Sequence, residues 1–280
     1  MNAAGQRLRV VFHAGFHKTG TTSLQDSLAA HAAALAPDIQ VQTRKTSAAL
    51  SCAADLARDW SVTRDGAATA RLAAALDLWA AGLNLSPGQT LLASSEDFAG
   101  HMPGHRGLSD YSAAPALARA VTHALRARFG PGLDLHFLYT SRLPEPWLRS
   151  IHWQLAGHPM MEMGAGKFAR RFARAADFGP LLQAIRAAVP GVGVTAQALE
   201  SLTARRLGPV SAIYDLAGLD ATGLPPIPAT NQRPPHDLAD AFVALNRAGI
   251  PPKLLAQMKR GLIALSDGAA KTLPPPLPPR

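Results

Sequence analysis

A loop rich in glycine and threonine near the start of the chain has residue types that hold an anion. Gly15 and Gly20 have four residues between them, and Thr21 and Thr22 follow directly. This is the glycine spacing of a phosphate-binding loop, in which the backbone curls so that several N–H groups point at one anion. A helix that begins near Thr21 would add its positive end and its unpaired amides. Residues 14–22, hereafter the phosphate loop, are therefore predicted to bind a phosphate group.

The lysine of the phosphate loop is displaced from the position that it takes in ATP-binding loops. In a Walker A loop the lysine follows the second glycine and contacts the β- and γ-phosphates. Here Thr21 follows Gly20, and the lysine stands inside the loop as Lys18. A clear magnesium-binding aspartate at a strand end is also missing, and Glu96 and Asp97 are the nearest candidates. These departures argue against a standard ATP site.

The phosphate loop resembles the 5′-phosphosulfate loop of sulfotransferases that use 3′-phosphoadenylyl sulfate (PAPS). The resemblance is carried by Lys18, Thr19, Gly20, Thr21 and Thr22, which follow a predicted strand and open an amphipathic helix. Five residues match in the structural context that the family has. The loop therefore favours PAPS as the bound nucleotide.

A second motif of the same family follows the most strand-like run of the chain, residues 133–140. Arg142 and Ser150 resemble the family's 3′-phosphate site, an arginine at a strand end and a serine eight residues later in the next helix. The chemistry agrees, because a guanidinium presents a planar fork of donors to a phosphate and a hydroxyl adds one more. ATP has no 3′-phosphate, so the pair of sites favours PAPS over ATP.

The resemblance implies an enzyme that moves a sulfuryl group from PAPS to a hydroxyl or amine and leaves 3′,5′-ADP, with no metal required. It also implies a three-layer α/β/α fold with a central parallel sheet, similar to that of P-loop NTPases. Lys18 would stabilise the charge that builds on the departing nucleotide. The residues implied to contact the donor are Gly15, His17 (through its backbone), Lys18, Thr19, Gly20, Thr21, Thr22, Arg142 and Ser150.

Sulfuryl transfer to a hydroxyl also needs a base that takes the acceptor's proton. Glu96 is the preferred candidate, because it follows the predicted strand 90–94 and should face the same crevice as the phosphate loop. A Ser-Glu pair at a strand end resembles the bacterial branch of the family. His101 and His105, in the loop that follows, are the alternative bases. A structural role for Glu96, as a carboxylate at the start of a helix, is the other alternative.

A weaker resemblance lies at Asn231 and Arg233, ahead of a predicted late helix. Many bacterial members of the family have an Asn-containing loop at this place. Cytosolic members use an Arg-Lys-Gly sequence at the 3′-phosphate, which this chain lacks, and Arg233 is a candidate substitute. A surface loop bounded by prolines is the alternative, so the role of both residues stays open.

Two other functions fit the same residues. A kinase or NTPase with a deviant Walker A loop would bind ATP together with Mg²⁺. A non-catalytic protein of the same fold would bind 3′,5′-ADP without transferring anything. All three functions involve nucleotide binding. A need for Mg²⁺ distinguishes the kinase or NTPase, and a need for a base distinguishes the transferase from the non-catalytic protein.

The sequence leaves the acceptor open among glycans, lipids and small molecules. It is predicted to lie against residues 100–110 and 157–172, where histidine, methionine and arginine are mixed. Arg106, Lys167, Arg170 and Arg171 fit an acidic or sugar acceptor. They fit a solvated face equally well.

The composition limits the partners further. The chain has 280 residues, 48% of them hydrophobic, and a net charge of +9, which favours anionic ligands. Its arginines are scattered and only 6% of its residues are aromatic, so no nucleic-acid surface is predicted. Cys52 has no second cysteine with which to form an intramolecular disulfide. The sequence shows neither a signal peptide nor an apolar run of about 20 residues, which predicts a cytoplasmic protein; its oligomeric state is open.

Strands alternate with helices along the chain, which predicts a parallel sheet covered on both faces. Residues 1–270 are predicted to form one domain and residues 271–280 a proline-rich tail. The predicted strands are 8–13, 39–43, 90–94, 133–140 and 193–196, and the predicted helices are 21–35, 67–83, 115–129, 145–155, 178–189, 237–246 and 252–265.

Overall fold

The computed structural model of the chain describes residues 8–228 and 238–266. Asn231, Arg233 and the tail at residues 271–280 lie outside the described residues, so the predictions made for them stay predictions. Within the described ranges, no helix has the length and apolar character needed to cross a membrane.

Five strands form one parallel sheet at the centre of the fold. The spatial order is β2-β3-β1-β4-β5, and every neighbouring pair is parallel. The predicted α/β fold with a central parallel sheet is confirmed. The strands are β1 (Arg9–His13), β2 (Ile39–Thr43), β3 (Thr90–Ser94), β4 (Asp134–Ser141) and β5 (Gly193–Ala198).

Helices connect the strands and cover both faces of the sheet. Three predicted elements, at residues 21–35, 39–43 and 90–94, have the predicted bounds, and the others agree within two residues. The helices are α1 (Thr21–Leu35), α2 (Ala48–Thr63), α3 (Gly66–Ala81), α4 (Ala114–Phe129), α5 (Pro144–Ala156), α6 (Ala165–Phe172), α7 (Phe178–Ala188), α8 (Leu199–Thr203), α9 (Ser211–Ala217), α10 (Ala239–Arg247) and α11 (Pro252–Ser266).

The two faces of the sheet bury separate cores. Phe12 of β1 packs edge to face against Trp79 of α3, with ring centroids 5.9 Å apart. Its neighbour Val11 points to the other face, where it joins a cluster with Leu24 and Leu28 of α1. Successive side chains of a strand point to opposite faces, so a strand covered on both sides is apolar throughout. This explains the continuous apolar runs within β1 and β3.

Helix α2 was not among the predicted helices. Its buried face is formed by Leu50, Ala53, Ala54, Ala57 and Ser61. These positions recur at helical spacing, so the sequence does carry the apolar pattern of this helix. Three shorter helices, α6, α8 and α9, were also not predicted.

The last two described helices are fastened to the C-terminal end of α5. The Lys259 ammonium donates to the carbonyl oxygens of Ala156 and Gly157 at 2.9 and 3.0 Å, and to Asn246 Oδ1 at 2.6 Å. Asn246 Nδ2 donates to the carbonyl oxygens of His158 and Met161 at 2.9 and 2.6 Å. The last carbonyls of a helix have no partner within it, so Lys259 satisfies groups that the end of α5 leaves open, and Asn246 holds the segment that follows the helix.

Candidate active site

Three strands of the sheet end side by side, and one buried histidine joins them. His13 ends β1, where it lies beside Ser94 of β3. Its Nδ1 lies 2.8 Å from Ser94 Oγ, and its Nε2 lies 3.2 Å from Thr140 Oγ1 in β4. Burial lowers the pKa of His13 to about 3, so its ring is neutral near neutral pH. His13 is therefore a structural residue beneath the phosphate loop.

A chain of hydroxyl groups continues from His13 into the phosphate loop. The Thr19 hydroxyl donates to the Phe16 carbonyl at 2.5 Å and lies 2.7 Å from Thr140 Oγ1. Because its one proton is committed to Phe16, Thr19 must accept from Thr140, which in turn accepts from His13 Nε2–H. Ser94 then donates to His13 Nδ1. The order of donors is thus consistent throughout, and the Thr19 side chain is turned away from any ligand.

The glycines of the phosphate loop are needed for close packing as well as for curvature. A Cβ atom on Gly15 would lie 2.4 Å from His13 Nε2 and 2.7 Å from Thr140 Oγ1. Gly20 has φ 90°, in the left-handed region, and a Cβ there would lie 2.6 Å from Leu199 Cδ1. Only glycine fits either position without displacing a neighbour.

Helix α1 begins at the phosphate loop with its first amides uncapped by a side chain. Gly20 is the residue before the helix, and no side-chain hydrogen bond caps this end. The Thr21 side chain is buried, whereas Thr22 is half-buried. An uncapped helix N-terminus is an anion site, because its N–H groups and its dipole both favour negative charge.

Lys18 reaches across the loop towards the second motif. Its Nζ donates to Oε1 of Gln154, in α5, at 3.2 Å. Burial lowers the pKa of Lys18, the nearby Arg142 charge lowers it further, and Glu96 opposes both effects. The structure therefore brings Arg142 and Glu96 within charge range of Lys18, although the three come from distant parts of the sequence.

The second motif contacts the phosphate loop directly. Arg142 Nη1 donates to the Lys18 carbonyl at 3.5 Å, and Trp147 Nε1 donates to the His17 carbonyl at 2.9 Å. Ser150 lies half-buried on α5, between Trp147 and Gln154 in sequence, and its hydroxyl makes no hydrogen bond to the described residues. Both predicted phosphate motifs thus lie at the carboxyl edge of the sheet.

Glu96 stands in a single 3₁₀ turn after β3 and is oriented by a residue that the sequence did not single out. Gln25 Nε2, from α1, donates to Glu96 Oε2 at 2.6 Å. Glu96 is half-buried and Gln25 is buried. Helical periodicity places Gln25 on the sheet-facing side of α1, beside Leu24 and Leu28, which is the one signal that could have marked it.

Asp97, the nearest candidate for a magnesium ligand, is occupied by cations of the protein itself. Its carboxylate forms an ion pair with Arg44 and lies 3.8 Å from Arg58 and from His17 Nε2. Burial alone would raise the pKa of Asp97, but His17, Arg44 and Arg58 together hold it below its ordinary value. Among residues 8–228 and 238–266, no group of three or more His, Cys, Asp or Glu is placed to hold a metal ion.

The His17 backbone, predicted to contact the nucleotide, has partners within the protein. Its N–H donates to the Tyr111 hydroxyl at 3.2 Å, and its carbonyl accepts from Trp147. Its Nδ1 also lies 3.3 Å from Tyr111 Oη. The sequence did not indicate Tyr111, because it lies outside every predicted element and its contact is long-range. His17 is held by these contacts on the Asp97 side of the loop.

The two alternative bases form a stacked pair. The rings of His101 and His105 lie 4.3 Å apart with an interplanar angle of 23°. Burial lowers the pKa of His101 to about 4, helped by His105 and nearby arginines. Burial also lowers the pKa of His105. Nε2 of His101 and Nδ1 of His105 are buried without a partner among the described residues.

Comparison with known proteins gives a distant structural likeness. No protein-family model matches the chain, and no curated protein matches it. The crystal structure of a sulfotransferase from Alicyclobacillus acidocaldarius is similar over 84% of this chain and 91% of its own, with 17% sequence identity and a TM-score of 0.46. A likeness at this level does not assign a function, so the case for one depends on the residues of the site.

Proposed function

We propose that this protein transfers a sulfuryl group from PAPS to a hydroxyl or amine acceptor and releases 3′,5′-ADP. The observation that carries the proposal is the meeting of the two phosphate motifs at Lys18. Lys18 lies within charge range of Arg142. It also donates to Gln154, which is on the helix that carries Ser150. A nucleotide with phosphates on both its 5′ and 3′ positions needs two such sites at one crevice.

The residues present fit the donor in charge and in hydrogen-bonding capacity. The uncapped start of α1, with the Thr21 and Thr22 amides, would hold the 5′-phosphate. Arg142 and Ser150 would hold the 3′-phosphate, and Ser150 has its hydroxyl available. Thr19 would contribute through its backbone, because its hydroxyl is committed to Phe16.

Lys18 and Glu96 would carry the chemical step. The acceptor oxygen forms a bond to sulfur while the bond from sulfur to the bridging phosphate oxygen breaks. Lys18 would stabilise the negative charge that develops on that bridging oxygen. Glu96, held by Gln25, would accept the proton that leaves the acceptor hydroxyl. The sulfuryl group, the proton and the leaving nucleotide are then all accounted for.

Thermal unfolding with three nucleotides tests the donor. We expect 3′,5′-ADP to raise Tm without a metal, whereas ATP, alone or with Mg²⁺, raises it less. Binding at a hundred times Kd adds about 2.7 kcal/mol to stability, which is readily measured. Arg142→Ala should abolish the shift with 3′,5′-ADP, and Arg149→Ala, on the exposed side of the following helix α5, should keep it. A shift with ATP and Mg²⁺ only would overturn the proposal in favour of a kinase or NTPase.

A further inference from the structure

A cavity of about 490 Å³ lies next to the candidate site, between the loop at residues 100–110 and α6. Its walls combine apolar side chains with cations. Leu108, Phe172 and the methionines of residues 160–163 supply the apolar surface, and Glu162 is the one carboxylate among the lining residues. The cations are Lys167 and Arg171 of α6 and Arg247 of α10.

Helix α5 links this cavity to the donor residues. Gln154, near the end of the helix, contacts Lys18. Just past the end of α5, the ring of His158 lies 5.6 Å from that of His105, which belongs to the loop on the cavity's other side. Gly104 of that loop packs against Leu155, where a Cβ would lie 2.7 Å from Leu155 Cδ1. From Arg142 onward the chain therefore passes first the residues proposed for the 3′-phosphate, then the residue that contacts Lys18, and then the cavity.

Two of the three cations are available to an anion inside the cavity. Lys167 and Arg171 are four residues apart on α6, so their side chains share one face of the helix. No carboxylate of the described residues lies within ion-pair distance of either. The Arg247 guanidinium, by contrast, donates to the Glu162 carbonyl at 2.9 and 2.5 Å. Arg171 lies over the Phe172 ring, 5.8 Å from its centroid. The cavity thus presents two cations without a carboxylate partner in the described part of the chain, beside an apolar wall.

We propose that this cavity binds the acceptor, and that the acceptor carries an anionic group on Lys167 and Arg171 and an apolar portion on Leu108 and Phe172. The assignment rests on the proposed function, since it takes the cavity to be the acceptor side of a sulfuryl transfer. An apolar wall alone would accept neutral molecules, and a cationic rim alone would accept any polyanion. Their combination selects an amphipathic monoanion or dianion.

Two fluorescent probes of the same shape class test the charge requirement. Toluidinonaphthalene sulfonate carries an aromatic body and an anionic group, and N-phenylnaphthylamine is its uncharged counterpart. We expect the sulfonate to bind the parent protein more tightly. The double variant Lys167→Gln/Arg171→Gln should bind the sulfonate about tenfold more weakly, in line with loss of charge-assisted contacts, and should bind the neutral probe as before.

Arg170→Gln is the matched control, because Arg170 lies on the same helix but does not line the cavity. It should leave binding of both probes unchanged. Equal sulfonate binding by the double variant and the parent would overturn the acceptor proposal, as would displacement of the probe by 3′,5′-ADP. Failure of 3′,5′-ADP to stabilise the parent protein would instead overturn the proposal that PAPS is the donor. The difference in binding between the two probes would then remain.

Discussion

The candidate site has two layers that differ in how their polar groups are satisfied. In the inner layer, His13, Thr19, Ser94 and Thr140 are fully buried and hydrogen-bonded to one another. In the outer layer, Lys18, Glu96, Arg142 and Gln154 are partly or fully exposed and contact each other by single hydrogen bonds or by charge alone.

The inner layer holds the backbone of the phosphate loop, whereas the outer layer carries the groups proposed to bind and react. Buried polar groups are costly unless they are paired, so the inner chain fixes the shape of the phosphate loop. Exposed groups with single contacts can exchange those contacts for a ligand at little cost. Changes in the inner layer should therefore reduce stability, and changes in the outer layer should reduce binding or turnover without affecting stability.

The largest effect is expected from Glu96→Gln in the outer layer. The new amide oxygen still accepts from Gln25, but it cannot take the acceptor's proton, so transfer should fall by roughly a hundredfold to ten-thousandfold. Transfer of labelled sulfate from PAPS to a panel of sugar, lipid and phenol acceptors measures this loss. The free energy of unfolding and the Tm shift with 3′,5′-ADP should be unchanged.

Glu145→Gln, an exposed carboxylate at the start of α5, is the control for Glu96→Gln and should keep full transfer activity. Retention of the parent rate by Glu96→Gln would remove Glu96 as the base. The same assay on His101→Gln and His105→Gln would then identify which histidine replaces it.

A pH-dependent effect is expected from His13 in the inner layer. Its pKa is lowered on folding from 6.5 to about 3, so the unfolded chain binds a proton that the folded protein excludes. The stabilisation is complete above pH 6.5 and is lost as the pH falls towards about 3, at a slope of about 1.4 kcal/mol per pH unit. Urea unfolding of the parent and of His13→Asn across this range gives the free energy of unfolding at each pH. We expect it to fall less steeply with decreasing pH in the variant, by the amount that one bound proton contributes. Parallel slopes would mean that His13 is not excluded from protonation in the folded state.

A smaller loss of stability is expected from Gly15→Ala. The new Cβ would overlap the His13 ring, and overpacking of this kind costs about 1–3 kcal/mol. Gly132→Ala is the matched control, because a Cβ at Gly132 has no atom within 4 Å. Urea unfolding should separate the two variants clearly. If both variants are equally stable, the inner layer is not tightly packed around Gly15.

The sequence predicted the elements of the site better than its contacts. Helix α1 was predicted from Thr21 to Leu35 because a glycine precedes it and apolar residues recur at helical spacing, both of which are local signals. The strand ends at His13, Ser94 and Thr140 followed from short apolar runs. These positions in turn placed Lys18, Glu96 and Arg142 at one edge of the sheet.

The polar pairs that orient those residues were not predictable from the sequence. Gln25 and Glu96 are 71 residues apart, and His17 and Tyr111 are 94 residues apart. Such pairs depend on how the helices settle on the sheet, which periodicity does not specify. Thr19 illustrates the same limit, since a threonine in a phosphate loop looks like a ligand in sequence, whereas here its hydroxyl serves the loop itself.

The fastening of α5 by Lys259 and Asn246 has a consequence for the order in which the protein matures on the ribosome. The strands and both phosphate motifs end by residue 198, and residues 202–224 complete the apolar core between α1 and the sheet. The Ala156 and Gly157 carbonyls receive the Lys259 ammonium, and the Met161 carbonyl receives the Asn246 amide, only when residues 246 and 259 emerge. The segment at residues 156–161, which borders the cavity, is therefore the last part of this region to be fastened during synthesis.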